Sequence, residues 1–191
     1  VGRSQFHLPT GKPQVLRGVC EALAPTAQAA RPLVLSIAAG ITATQLDRWL
    51  GGDVAVVRTM PNTPALLGAG VTGLFANAHV DAVERARAQA LLESAGATVW
   101  VADEARMDAV TGTSGSGPAY FFFLVEAMID AGILLGLPRA LAADLIVQTA
   151  LGAATMLRDS GEHPVQLREA VTSPGGTTIA AIRELERHGV R

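Results

Sequence analysis

The sequence predicts an α/β protein in two parts, a partial parallel sheet over residues 1–102 followed by an all-helical region over 103–191. Three observations carry this. Two short apolar runs, Leu33-Val34-Leu35-Ser36-Ile37-Ala38 and Val54-Ala55-Val56-Val57-Arg58-Thr59, flank one helical pattern. Strand, helix and strand within about 25 residues make a parallel crossover unit. Strand signals stop after Asp103-Glu104, and only helical patterns follow. Between the two regimes lies Thr111-Gly112-Thr113-Ser114-Gly115-Ser116-Gly117-Pro118-Ala119-Tyr120, a polar turn that runs directly into Phe121-Phe122-Phe123-Leu124-Val125.

Taken in order, Pro13 to Leu23 reads as a helix with Val15, Leu16, Val19 and Leu23 on one face. The first apolar run ends in Ala38-Ala39-Gly40, whose small side chains leave room above a strand's carboxyl end. Thr42 caps a helix through Leu50, with Gln45 at the reciprocal capping position. The second run ends in Met60-Pro61-Asn62-Thr63-Pro64, where two prolines hold Asn62 and Thr63 in a rigid polar turn. Open sheets of this type bind ligands beyond the carboxyl ends of their strands, so both ends are candidate ligand edges. The pattern Gly68-Ala69-Gly70-Val71-Thr72-Gly73 matches the G-x-G-x-x-G phosphate loop, but it follows a proline turn and leads into a strand over Val71 to Ala76. A phosphate loop must follow a strand and open a helix, so this match is rejected. Asp81 to Ala95 is a helix ended by Gly96, and Val99-Trp100-Val101 is the last strand.

In the second half, Met107 to Thr111, Ala119 to Leu135, Arg139 to Arg158, Pro164 to Val171 and Thr177 to Arg187 are helical patterns. Pro118 suits a first helical turn, with Ser116 or Gly117 as cap. The reading is a helix start ringed by free N–H groups and hydroxyls, suited to a small carboxylate. A hinge or tight junction between helices is the competing structural explanation. The apolar stretch 119–137 has nearly the length of a membrane span but holds Glu126 and Asp130, which predicts a helix enclosed by other helices, including those of a second subunit. Small residues along 140–154 suit tight helix pairing.

Composition excludes several classes. The net charge of −2 gives no electrostatic case for a nucleic-acid or membrane-surface partner. Cys20 is the single cysteine, so no internal disulfide forms, which fits a reducing, cytoplasmic setting. The four histidines have no metal-ligand spacing, and no metal is expected. The start of the sequence has no apolar leader segment.

The polar turn 111–120, the Met60-Pro61-Asn62-Thr63-Pro64 turn and the stretch Leu167-Arg168-Glu169-Ala170-Val171-Thr172-Ser173-Pro174-Gly175-Gly176-Thr177-Thr178 occur here in one order. With these three motifs the chain closely resembles the pyrroline-5-carboxylate reductase family, over a nearly continuous match from Lys12 to Gly189. The resemblance implies an incomplete NAD(P)-binding Rossmann-type domain over 1–102 and a helical dimerisation and substrate domain over 103–191. NADPH or NADH would donate hydride to a cyclic imine, giving L-proline, in a homodimer or higher homo-oligomer. It implies cofactor contacts at Lys12, Pro13, Ala38, Ala39, Met60, Asn62 and Thr63. Substrate contacts would come from Glu104, Ser114, Gly115, Ser116, Gly117, Thr177 and Thr178, with Ser173, Gly175 and Gly176 in the second signature. Thr113, Ser114 and Ser116 are the candidate catalytic donors, alongside Thr111. The chemistry asks little of side chains, because a protonated imine is already a good electrophile and the protein must mainly orient it.

The chain departs from the family pattern at its start. Phe6-His7-Leu8-Pro9-Thr10-Gly11 stands where an apolar strand is expected, and its proline and glycine are hostile to a sheet interior. Residues 1–11 are therefore expected to be atypical sequence joined to a truncated domain without its pyrophosphate loop, so cofactor affinity is expected to collapse and the chain as it stands to be inactive. At the other end, Arg191 falls short of the family's closing helix. A non-catalytic oligomerisation module and a dehydrogenase for another imine or acid are the alternative readings.

Overall fold

The computed structural model describes residues 5–8 and 13–190. Five strands form one sheet in chain order: β1 (Gln5–Leu8), β2 (Leu33–Ser36), β3 (Ala55–Pro61), β4 (Gly70–Ala76) and β5 (Gly96–Trp100). The pairs β1/β2, β2/β3 and β4/β5 are parallel, whereas β3/β4 is antiparallel. The expected crossover is present, with Leu33 opposite Ala55 and Ser36 opposite Arg58.

Helices α1 (Pro13–Ala30) and α2 (Ala43–Trp49) connect the first three strands, and α3 (Ala82–Glu93) connects β4 to β5. Right-handed crossovers explain where each helix lies. The sheet grows in one direction throughout, but β4 reverses the strand sense, so the next crossover falls on the opposite face. Two cores result. Leu16, Cys20, Ala27, Ala43, Leu46 and Leu50 from α1, α2 and their flanks pack with Val34, Val54 and Val56. Ala88 of α3 packs with Leu33, Leu35, Ala55, Val57 and Leu74 on the other face. The alternation of Val34 and Val56 with Leu33, Leu35, Ala55 and Val57 is the two-residue strand period made visible.

Several expectations change here. A strand does form before Pro9: Gln5–Leu8 runs parallel to β2 at the rim of the described sheet. Proline and glycine are hostile within a ladder, not immediately after one. Helix α1 continues to Ala30 with Pro25 inside it, well past Leu23. The pattern at Gly68–Gly73 lies outside any phosphate loop, as argued. A 3-10 turn (Thr63–Leu67) ends at Gly68 with φ +68, and β4 follows from Gly70.

Beyond β5, a 3-10 turn (Glu104–Arg106) leads through α4 (Met107–Val110) into a π turn (Thr111–Gly115) and then α5 (Gly117–Leu134). After it come α6 (Arg139–Asp159), α7 (Pro164–Ala170) and α8 (Thr177–Arg187). The chain forms two compact units, Val1–Phe122 and Phe123–Arg191. The first unit runs past residue 102 because the segment after β5 folds back on the sheet: a Cβ on Gly73 of β4 would lie 2.4 Å from Val110 Cγ1.

Among the described residues, the helices of the second half leave apolar faces exposed. Phe121, Phe122 and Phe123 are exposed, as are Leu141, Leu145, Val147 and Leu151 of α6. Residues 104–134 and 139–159 are long and apolar enough to cross a membrane by length and composition.

Candidate cofactor and substrate site

The carboxyl ends of β2 and β3 lie side by side, and their turns are tied down. Thr59 Oγ1 donates to the carbonyl of Ser36 at 3.1 Å, and Ser36 Oγ accepts from the Ala38 N–H at 3.3 Å. Ala38 is buried, Ala39 is exposed, and nothing lies within 4 Å of where a Cβ on Gly40 would stand. This makes a low, open floor. Across it, Met60 and Pro61 end β3, and Asn62 precedes the 3-10 turn. Asn62 Oδ1 accepts the Val71 N–H at 3.0 Å, so its carbonyl oxygen holds β4 in place, while Thr63 is exposed.

Ala38, Ala39, Met60, Asn62 and Thr63 border this floor, which lies where open α/β sheets bind ligands, beyond the carboxyl ends of parallel strands. A glycine-rich strand-to-helix turn that would cradle the pyrophosphate does not occur among the described residues. Lys12 lies outside the described residues, and Pro13 opens α1.

The polar turn differs from expectation. No free helix start exists at Ser116 or Gly117, because the chain is already helical from Met107 and passes through a π turn. The Ser116 N–H donates to the carbonyl of Thr111 at 2.8 Å, a five-residue step. Pro118 explains the irregularity. Its nitrogen carries no hydrogen for the Ser114 carbonyl, and its ring would crowd that carbonyl in a regular helix. The hydroxyls are also committed as donors. Thr111 Oγ1 donates to the Met107 carbonyl at 2.9 Å, Thr113 Oγ1 to that of Ala109 at 2.7 Å, and Ser114 Oγ to that of Val110 at 3.0 Å. In this arrangement they offer lone pairs to a neighbour, which suits an N–H-bearing group better than a carboxylate.

The π turn stands against the cofactor edge. A Cβ on Gly115 would come within 2.6 Å of Met60 Cε, so the two segments touch here and a larger residue at 115 would have to push the Met60 methyl aside. The structure thus brings Gly115 to Met60. Glu104 is engaged elsewhere: its Oε1 accepts the Ala43 N–H at 2.6 Å and Arg58 Nη1 at 2.8 Å. With Gly40, Thr42, Arg58, Ala105 and Asp108 it lines a cavity of 310 Å³. Arg58 is the residue that sequence reasoning passed over. Its signal was a cation inside the apolar run 54–59, a position that demands a buried partner.

In the second unit, Thr177 and Thr178 are the first residues of α8, after Gly175 with φ +72 and the extended Gly176. No side chain caps this start. It offers the uncapped N–H groups that the polar turn was expected to supply.

Comparisons with known proteins place the whole chain rather than single residues. The family described as "Pyrroline-5-carboxylate reductase dimerisation" matches residues 104–191. A pyrroline-5-carboxylate reductase from Pseudomonas aeruginosa is 53% identical over 178 residues, covering 93% of this chain and 65% of that protein. The structure of a pyrroline-5-carboxylate reductase from Coxiella burnetii superposes with a TM-score of 0.91 at 42% identity, covering 98% of this chain and 69% of that one. A Plasmodium falciparum pyrroline carboxylate reductase, solved with NADP bound, gives 0.87 at 31% identity, covering 95% and 70%. The chain therefore spans about two thirds of the length of these relatives. With a helical region of this type following a nucleotide-type sheet, and identity sustained along nearly all of it, the chain belongs to the pyrroline-5-carboxylate reductase family.

Proposed function

We propose that this chain works as an NAD(P)H-dependent reductase of 1-pyrroline-5-carboxylate, forming L-proline in the cytoplasm as a homodimer. The observation that carries this reading is the meeting of the open floor after β2 and β3 with the π turn, at the Met60 to Gly115 contact. The nicotinamide would supply the hydride. Ala38, Ala39, Met60, Asn62 and Thr63 would border it, with Lys12 and Pro13 following the first strand. The division of labour falls at residues 102/103, where the last strand has ended.

Reduction of the imine needs hydride at carbon and a proton on nitrogen. Thr113, Ser114 and Ser116 are the groups we assign to the nitrogen side. The hydroxyl lone pairs of Thr113 and Ser114 accept from a protonated imine and hold its N–H while the carbon is reduced. Ser114, Gly115, Ser116 and Gly117 shape the ring pocket. Thr177 and Thr178, at the uncapped start of α8, are the groups we assign to the substrate carboxylate, supplied across the homodimer. Glu104 reaches the substrate through the segments it holds. The exposed faces of α5 and α6 make the homodimer surface.

Proline formation from pyrroline-5-carboxylate with NADPH, followed by consumption of the reduced cofactor, tests this reading. Imine-dependent cofactor oxidation at saturating NADPH supports it and would show the pyrophosphate loop to be dispensable, and cofactor binding with no proline formed overturns it. A dimer that binds neither NADPH nor NADH favours instead a non-catalytic oligomerisation module, the reading that the apolar helix faces alone would support.

A further inference from the structure

One carboxylate oxygen joins three separate segments of the sheet-bearing unit. Glu104 Oε1 accepts from Arg58 Nη1 at 2.8 Å and from the Ala43 N–H at 2.6 Å, the first backbone donor of α2. Ala43 directly follows the loop bearing Ala38 and Ala39. Arg58 precedes Met60 and Asn62 on the same strand. Glu104 itself opens the run that becomes the π turn. The Arg58 side chain is only 7% exposed and that of Glu104 20%, so solvent hardly competes for either charge.

We propose that Glu104 and Arg58 form a clasp that sets the relative positions of the three cofactor-edge segments, acting as positioning residues and not as groups that touch the reactants. This rests on the reductase reading for its functional consequence, but the clasp itself is a statement about this chain's own backbone. Stability alone does not account for it. A buried ion pair is generally no more stabilising than apolar side chains of the same volume, whereas its geometry is far more exacting. Here the exacting part is the shared oxygen. It accepts from one donor on β3 and one at the start of α2, and each bond constrains a different strand's carboxyl end. The second independent tie is the capping box of the same helix: Thr42 Oγ1 accepts the Gln45 N–H at 3.1 Å, and Gln45 Oε1 accepts the Thr42 N–H at 2.9 Å. The helix start is therefore rigid within itself, and Glu104 couples that rigid body to β3.

The test uses backbone amide spectra and cofactor titration on the 191-residue chain. Glu104→Ala should move the amide resonances of Ala39, Asn62 and Thr113, as well as Ala43, and should raise the NADPH Kd about tenfold, a change of ~1.4 kcal/mol. Glu104→Gln keeps an acceptor oxygen and should restore the Ala43 amide and most of the affinity. Arg85→Ala, which removes a surface stacking contact with Trp100 on the far side of the sheet, is the control and should leave all three amides in place. Movement confined to Ala43 and Arg58, with Ala39, Asn62 and Thr113 unchanged, overturns the clasp. If Glu104→Ala fails to fold, Glu104→Gln decides by the same amides, through smaller shifts of the same sign. A wild-type chain that takes up no NADPH counts against the reductase reading, and the amide shifts alone then decide the clasp.

Discussion

Arg58 occupies a strand position whose alternate neighbours, Val54 and Val56, point into the core beneath α1 and α2. Its charge is tolerable only because Glu104 meets it. Removing one member of such a pair leaves the other buried and unpaired, at a typical cost of about 3–5 kcal/mol. Arg58→Met should lower the urea midpoint accordingly, while Arg58→Met with Glu104→Gln should recover part of the loss. Cys20 is a different kind of buried residue. Its thiol is pushed above the usual 9.0, first by burial and then by the nearby Glu21 carboxylate. The folded chain therefore holds that proton to higher pH than the unfolded chain does. Above about pH 9 the unfolded state loses its proton first, so stability is intact below that pH and falls as pH rises toward the folded pKa. Cys20→Ala should flatten this alkaline slope in urea midpoints measured against pH.

At the scale of elements, the start of α2 is the most fully specified part of the chain. Thr42 and Gln45 form a reciprocal capping box, and Thr42→Ala should cost about 1 kcal/mol in chemical unfolding. The turn between α3 and β5 depends on Gly96, with φ +137 and a would-be Cβ 2.1 Å from the Gly70 carbonyl oxygen. Gly96→Ala should cost at least about 1–3 kcal/mol by the same measurement, because neither backbone can yield. The π turn is an element defined by a missing hydrogen. Pro118→Ala would provide an N–H for the Ser114 carbonyl and favour a regular helix across residues 111–118. Hydrogen exchange at residue 118 should then show protection. On the proposed function, turnover should fall about tenfold as Thr113 and Ser114 rotate away from their places.

For the whole molecule, the reversal of β4 decides which face each helix covers, and the exposed helix faces decide what the chain associates with. Leu145 and Leu151 are exposed within the single chain, so Leu145→Asp with Leu151→Asp should leave each fold unit intact. The double change should weaken self-association at least about tenfold in sedimentation velocity, if α6 carries the dimer surface as proposed. The local signals were legible where each residue's environment is set within a few positions. The capping box at Thr42, the existence of the strands read at 33–38 and 54–59 (though the second runs on through Met60 and Pro61), the bounds of α8 and the failure of Gly68–Gly73 as a phosphate loop all depend on short-range sterics and hydrogen bonding. Strand β1 was hidden because an edge strand depends on the neighbour that pairs with it. The free helix start at the polar turn was misjudged because a proline suits a first turn as well as a π turn, and local spacing does not distinguish them. The sequence by itself determined the order of the main helices and strands after residue 12, the small-residue floor and the family. Only tertiary structure decided that Glu104 meets an amide 61 positions away and that Met60 lies on Gly115, because both contacts arise when distant segments converge on one end of the sheet.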